Sequence, residues 1–307
     1  MTLNLKQQKG LLYYLILKLI SMFFMLKNLI FMDVPQKTIT LEKIKEMLSD
    51  NSTKRINFSS THAQALKEKK NDRWKIILPF EESIQPIIKK EINNDIKLFK
   101  SKYGDGVWRS INNEEEYIKW SNFIKQYEDV VFLRDCLDVS LSLSMNFIEN
   151  ESRTEIGELE YQSKFNSDQN AEKKLVSLCE KWINKLPYYK NADLICAVPS
   201  KTQDNLPQRI VSELKITATN ISNTIFWDSK TKNVKDAENV EDKIKILEES
   251  GFTIDNRGQL KNKVIILFDD LYMSGVTLQY IAMKLKEAGA QRVLGLTIVK
   301  SRSNSKR

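Results

Sequence analysis

Three continuous apolar runs, separated by segments of helical periodicity, constrain this 307-residue chain more than any other feature. They occupy residues 194–198, 264–268 and 293–299. A strand without polar alternation must be covered on both faces, the situation of a parallel sheet between layers of helix. Helical patterns near 207–218 and over 277–288 lie between the runs, and a shorter run stands at 224–226. The spacing predicts an α/β fold with a mostly parallel sheet and with 264–268 as a central strand. Ligands of such sheets bind beyond the carboxyl ends of the strands, so the residues after each run are where chemistry is expected.

After 264–268 come Asp269, Asp270, Leu271, Tyr272, Met273, Ser274, Gly275, Val276 and Thr277, and then the helix. Two adjacent carboxylates at a strand end are costly unless a cation or hydroxyl donors satisfy them. The vicinal hydroxyls of a ribose are such donors, and a bound Mg²⁺ would offset the charge. Gly275 permits close backbone approach, Ser274 and Thr277 carry hydroxyls, and the following helix presents its positive end. Acids for sugar hydroxyls, followed by a loop for phosphate, point to a phosphorylated ribose. The bland alternative is a capped helix after a strand with two solvated aspartates.

This string resembles the phosphoribosyl pyrophosphate (PRPP) motif of type I phosphoribosyltransferases, and the layout is most similar to their ComF-like branch. The likeness spans residues 154–303. It includes Ile156, Gly157, Glu158 and Leu159, then Lys164 and Phe165, then Ala197, Val198, Pro199, Ser200 and Lys201, and finally 260–263 leading into the motif strand. Met273 departs from the small residue common in that loop, and Ala197 replaces the first proline of a P-V-P segment. The resemblance implies a type I phosphoribosyltransferase sheet over 151–303 and Mg²⁺-dependent transfer of phosphoribosyl to a nitrogen acceptor, with pyrophosphate released. It implies that Asp269 and Asp270 are catalytic and bind the ribose, and that Met273, Ser274, Gly275, Val276 and Thr277 hold the 5′-phosphate. Ser200 and Lys201 would face pyrophosphate, and Lys230 and Lys232 would belong to a mobile loop over the substrate. The alternative on the same fold is a regulator that senses PRPP, or another molecule containing ribose 5-phosphate, without turning it over.

Residues 33–150 are expected to form a mainly helical accessory region, because charged, glycine-poor segments recur near 41–49, 82–102 and 113–127. Ile84, Ile87, Ile88, Ile92, Ile96 and Phe99 follow helical spacing. Thr40 precedes the first of these helices as a partial cap. Trp74, Trp108 and Trp120 read as core or interface aromatics. His62 is the sole histidine, which excludes metal sites built from several histidines. Three scattered cysteines without a C-x-x-C pair exclude a cysteine zinc site and suit a reducing, cytoplasmic setting.

The net charge of +8 is concentrated at the ends. Residues 1–32 hold four lysines and no acid, and Lys300, Arg302, Lys306 and Arg307 cluster at the C-terminus, where 304–307 form a basic tail. A nucleic-acid partner needs basic residues on one face, which net charge alone does not supply; a homodimer is equally open. Residues 11–32 are apolar but interrupted by Lys18 and Lys27. Two readings stand for this leader: a membrane anchor, if it is translated and inserted, and a true start at Met32.

Overall fold

The computed structural model describes residues 5–59, 66–69, 73–102, 104, 106–148, 152–200, 205–228, 234 and 237–302. The chain divides into two compact units, Met1–Pro35 and Gln36–Arg307. The first is built on one helix, α1 (Leu5–Ile30). Among the described residues, no helix is long and apolar enough to cross a membrane.

The second unit is an α/β structure. It begins with α2 (Leu41–Ser49), β1 (Arg55–Asn57), β2 (Lys67–Lys69), β3 (Arg73–Leu78), α3 (Ile84–Glu91), β4 (Phe99–Lys100) and β5 (Val107–Ile111). Next come α4 (Glu114–Gln126), β6 (Val131–Leu133), β7 (Val139–Met145), α5 (Glu155–Phe165) and α6 (Gln169–Lys185). Then follow β8 (Leu194–Ala197), α7 (Leu206–Glu213), β9 (Thr219–Asn220), β10 (Ile225–Trp227), α8 (Val240–Glu249) and β11 (Phe252–Ile254). The last elements are β12 (Val264–Tyr272), α9 (Val276–Glu287) and β13 (Arg292–Lys300).

Seven strands form the main sheet in the order β1-β6-β7-β13-β12-β8-β9. Every pairing from β7 to β9 is parallel, while β6 and β1 add antiparallel partners at one edge. The central position expected for 264–268 is observed: β12 lies between β13 and β8, with Phe268 opposite Leu296 on one side and Ala197 on the other. All five residues of that run are fully buried. Ile265 and Leu267 join Ile244, Leu247, Ile281 and Leu285 in one core, so α8 and α9 cover that face. Helices α5 and α7 also contact the sheet, at β7 and β13 and at β8 and β12 respectively. Full burial of a Leu or Ile side chain contributes roughly 1.5–3 kcal/mol, which is why an all-apolar run selects this central slot.

Residues 33–150 differ from the mainly helical region expected. Three helices do form there, with Thr40 capping α2 by accepting from the Lys43 amide. However, the same stretch supplies β1, β6 and β7 to the main sheet and builds a second, four-stranded sheet, β2-β3-β5-β4. The helix expected over 82–102 ends at Glu91, and Phe99 pairs instead with Trp108. Strand β7, read as VSLSLSM, is buried along its whole length, its small serines included. Ser142 shares a hydrogen bond with Thr297. Strand β7, before residue 150, pairs in parallel with β13, after it. The run at 224–226 appears as β10, which pairs antiparallel with β11 outside the main sheet. Residues 304–307 and His62 lie outside the described residues.

Candidate functional site

Strand β12 runs four residues past its apolar core. Leu271 and Tyr272 continue the pairing, opposite Val299 and Lys300 of the equally long β13. Asp269 and Asp270 therefore lie within a paired strand rather than in a loop, and Asp270 is only 8% exposed. The Asp269 carboxylate accepts the Asp270 amide at 3.0 Å.

A counter-charge arrives from α5. Lys164 Nζ lies 2.5 Å from Asp270 Oδ2 and 3.6 Å from Glu160 Oε1, one helical turn earlier on α5. The start of α5 is fixed to the end of β7. Thr154 donates its hydroxyl to the Met145 carbonyl at 2.6 Å and accepts the Gly157 amide at 2.9 Å. A Cβ at Gly157 would collide with the Asn146 carbonyl oxygen, so only glycine lets the helix sit this close. The sequence thus clamps α5 where Lys164 reaches across to β12.

The electrostatics follow from burial. Desolvation, reinforced by the neighbouring Asp270, pushes the Asp269 carboxyl well above the usual carboxylate range. Desolvation also raises Glu160, with Lys164 working against the shift. Burial opposes the charge on Lys164, yet Asp270 and Glu160 outweigh it and raise its pKa. One lysine thus faces three carboxyl groups, which leaves Asp269 as the group that gains most from a further cation or hydroxyl donors. Among the described residues no cluster of three or more His, Cys, Asp or Glu side chains is placed to hold a metal ion. Lys164 thus pairs directly with Asp270, while Asp269 sits beside that pair without an ion-pair contact of its own among the described contacts.

The loop between β12 and α9 is held from behind. Gly275 has φ +76°, and a Cβ there would run into the Tyr272 ring. Tyr272 is itself anchored, donating its hydroxyl to Asp135 at 3.1 Å. Gln279 of α9 donates to the Gly275 carbonyl at 3.3 Å and accepts the Cys136 amide at 3.1 Å. Gly275→Ala is expected to cost at least about 1 kcal/mol, from positive φ and overpacking together. Urea unfolding of the purified variant checks this, and wild-type stability would contradict it.

Side chains of Thr40, Asn113, Thr154, Asp168, Asn205 and Asn239 cap α2 and α4–α8. Helix α9 has Gly275 at its N-cap and no side-chain cap. Thr277 is half-buried, lies inside the first turn and does not cap, so one of its two expected roles falls away. Thr277→Ala should then change stability by less than about 0.5 kcal/mol. If Thr277 donates to phosphate, the same variant should lose about 1.5–3 kcal/mol of affinity for a ribose 5-phosphate ligand. Melting and titration of one preparation separate the two effects, and undiminished affinity would contradict the phosphate role.

Of the remaining expected residues, Val276 is buried at the start of α9, while Met273 and Ser274 are half-buried in the loop. Ser200 is exposed just beyond β8. The segment before it is anchored beside the acid pair's strand. Val198 donates its amide to Phe268 at 2.7 Å, and Trp227 Nε1 donates to the Pro199 carbonyl at 3.0 Å. Lys201, Lys230 and Lys232 lie outside the described residues. Sequence reasoning gave no role to Glu160, Tyr272, Asp135 or Gln279. The Glu160–Lys164 spacing of four is a readable signal for a helical ion pair, but its partner on β12 is not. No protein-family model matches the chain, and no curated protein matches it.

Proposed function

We propose that the chain is a phosphoribosyltransferase that uses PRPP with Mg²⁺. The observation that carries this reading is the acid pair near the end of the central parallel strand, followed after five intervening residues by a helix whose N-terminus no side chain caps. Asp269 and Asp270 accept the ribose hydroxyls, and Lys164 orients Asp270 through their ion pair. The loop from Met273 to Thr277 offers backbone amides and two hydroxyls to the 5′-phosphate at the positive end of α9. When bound, Mg²⁺ supplies positive charge to the pyrophosphate.

The chemistry asks little covalent work of the protein. The bond from C1 to the pyrophosphate oxygen breaks and pyrophosphate keeps the electron pair. A nitrogen of the acceptor then bonds to C1 and gives up its proton. The positive charge that develops on the ribose is stabilised by the fixed carboxylates, and holding both reactants removes most of the entropic barrier. Incubation with Mg²⁺–PRPP and a panel of nucleobases and amides should release pyrophosphate, and Thr277→Ala should slow that release. PRPP bound but never consumed would instead favour the sensing alternative.

A further inference from the structure

On the α5 and α6 side of the sheet a cavity of about 740 Å³ opens beside β7. It is distinct from the acid pair: β13 separates β7 from β12, a spacing of about 10 Å between the outer two strands. Helix α5 contributes to both places, with Ile156 and Leu159 lining the cavity and Glu160 and Lys164 reaching the acid pair. Its volume lies in the range of small-molecule sites, roughly 300–1,000 Å³.

The lining is divided by chemistry. Leu143 and Met145 of β7 meet Leu178 and Trp182 of α6, giving an apolar, partly aromatic interior. Arg55, Arg302, Lys174 and Lys181 also line it, and Asp129 and Glu155 leave the balance positive. The cations around Arg55 form one crowded end. Arg55 Nη1 donates to the carbonyls of Arg302 at 2.8 Å and Ser301 at 3.5 Å, and Lys300 Nζ donates to that same Ser301 carbonyl. Burial, with Arg55 adding to it, lowers Lys300 to about 7, and burial with Arg302 beside it lowers Arg55. An anion at this end relieves that crowding, and an apolar ring fits the interior next to it.

We propose that this cavity is a second binding site, for a small aromatic molecule that bears a carboxylate, sulfonate or phosphate. The site stands whether or not the loop at 269–277 binds PRPP, because none of its lining residues belongs to that loop. The anion sits between Arg55 and Arg302, and the ring lies over Leu178 against Trp182.

Two fluorescent probes with nearly the same rings test it on the full chain. 8-Anilinonaphthalene-1-sulfonate carries an anion, and N-phenyl-1-naphthylamine does not. The double substitution R55Q/R302Q is expected to weaken the sulfonate probe about tenfold or more while leaving the neutral probe within about twofold. Filling the cavity with Leu178→Trp is expected to weaken both, with far-ultraviolet circular dichroism checking that the fold is kept. Unchanged sulfonate affinity in R55Q/R302Q overturns the proposal, as does an equal loss of both probes in that variant. If L178W fails to fold, the arginine pair alone decides.

Discussion

Replacing both Asp269 and Asp270 by Asn should lower affinity for Mg²⁺–PRPP by a factor of 100 or more, the largest functional effect expected from any pair of residues in this chain. Two charge-assisted hydrogen-bond acceptors disappear at once, each worth about 1.5–3 kcal/mol. The single variant Asp269→Asn should have the opposite effect on stability. Asp269 has a carboxyl whose pKa burial raises in the folded chain, so folding penalises its charged form. Between the unfolded carboxylate value and the raised folded value, the native state binds more protons than the unfolded state. Stability therefore falls as pH rises through that window, and the penalty is complete above the folded pKa. Asn removes it, so Asp269→Asn should melt about 2–4 °C higher at pH 8, the shift that ~1 kcal/mol gives a chain of this kind. Near pH 4 the gain should vanish. Equal melting temperatures at pH 8 would contradict the buried-charge account. On the proposed role of Asp269 as acceptor of ribose hydroxyls, affinity for PRPP in the wild type should rise with pH through the same window.

Lys164→Met should be the most destabilising single change at the site. It keeps roughly the length of the side chain but removes the cation paired with Asp270 and Glu160, both of which are at least nine-tenths buried. Breaking a fully buried pair costs about 3–5 kcal/mol; the Lys164 side chain retains 27% exposure, so about 2–3 kcal/mol is expected. Adding Asp270→Asn to Lys164→Met should restore a large part of that loss, since the orphaned charge goes with it. A denaturant double-mutant cycle measures this. Additive losses would show that Lys164 acts through packing rather than through charge.

The physics explains which parts of this were legible in the sequence. The run 264–268 declared its central place because five consecutive apolar residues need cover on both faces, and Phe268 between Leu296 and Ala197 has it. The loop at Gly275 was legible for a similar reason: its neighbours point to one local conformation, and the positive φ requires glycine. Strand β7 was hidden because alternating Val, Ser and Leu with one buried face looks like a solvated edge strand at most. Its serines are buried because neighbours distant in sequence cover them, and Ser142 finds its partner in Thr297, 155 positions away. Helical spacing continued past Glu91 to Ile96 and Phe99, but pairing of Phe99 with Trp108 overrode it. Lys164 illustrates the same limit at the site. Its helix and its pairing with Glu160 can be read locally, whereas its contact with Asp270 joins residues 106 positions apart and depends on how Thr154 and Gly157 fasten α5 to β7.

Isothermal titration of the wild-type chain with PRPP in the presence of Mg²⁺, repeated on the Asp269→Asn, Asp270→Asn double variant, tests the central claim most directly. The expected result is saturable binding at one site per chain in the wild type, and loss of at least 100-fold in affinity in a variant whose melting shows it still folded. Absence of binding in the wild type, or equal affinity in the two proteins, would contradict the assignment of residues 269–277 as a PRPP site.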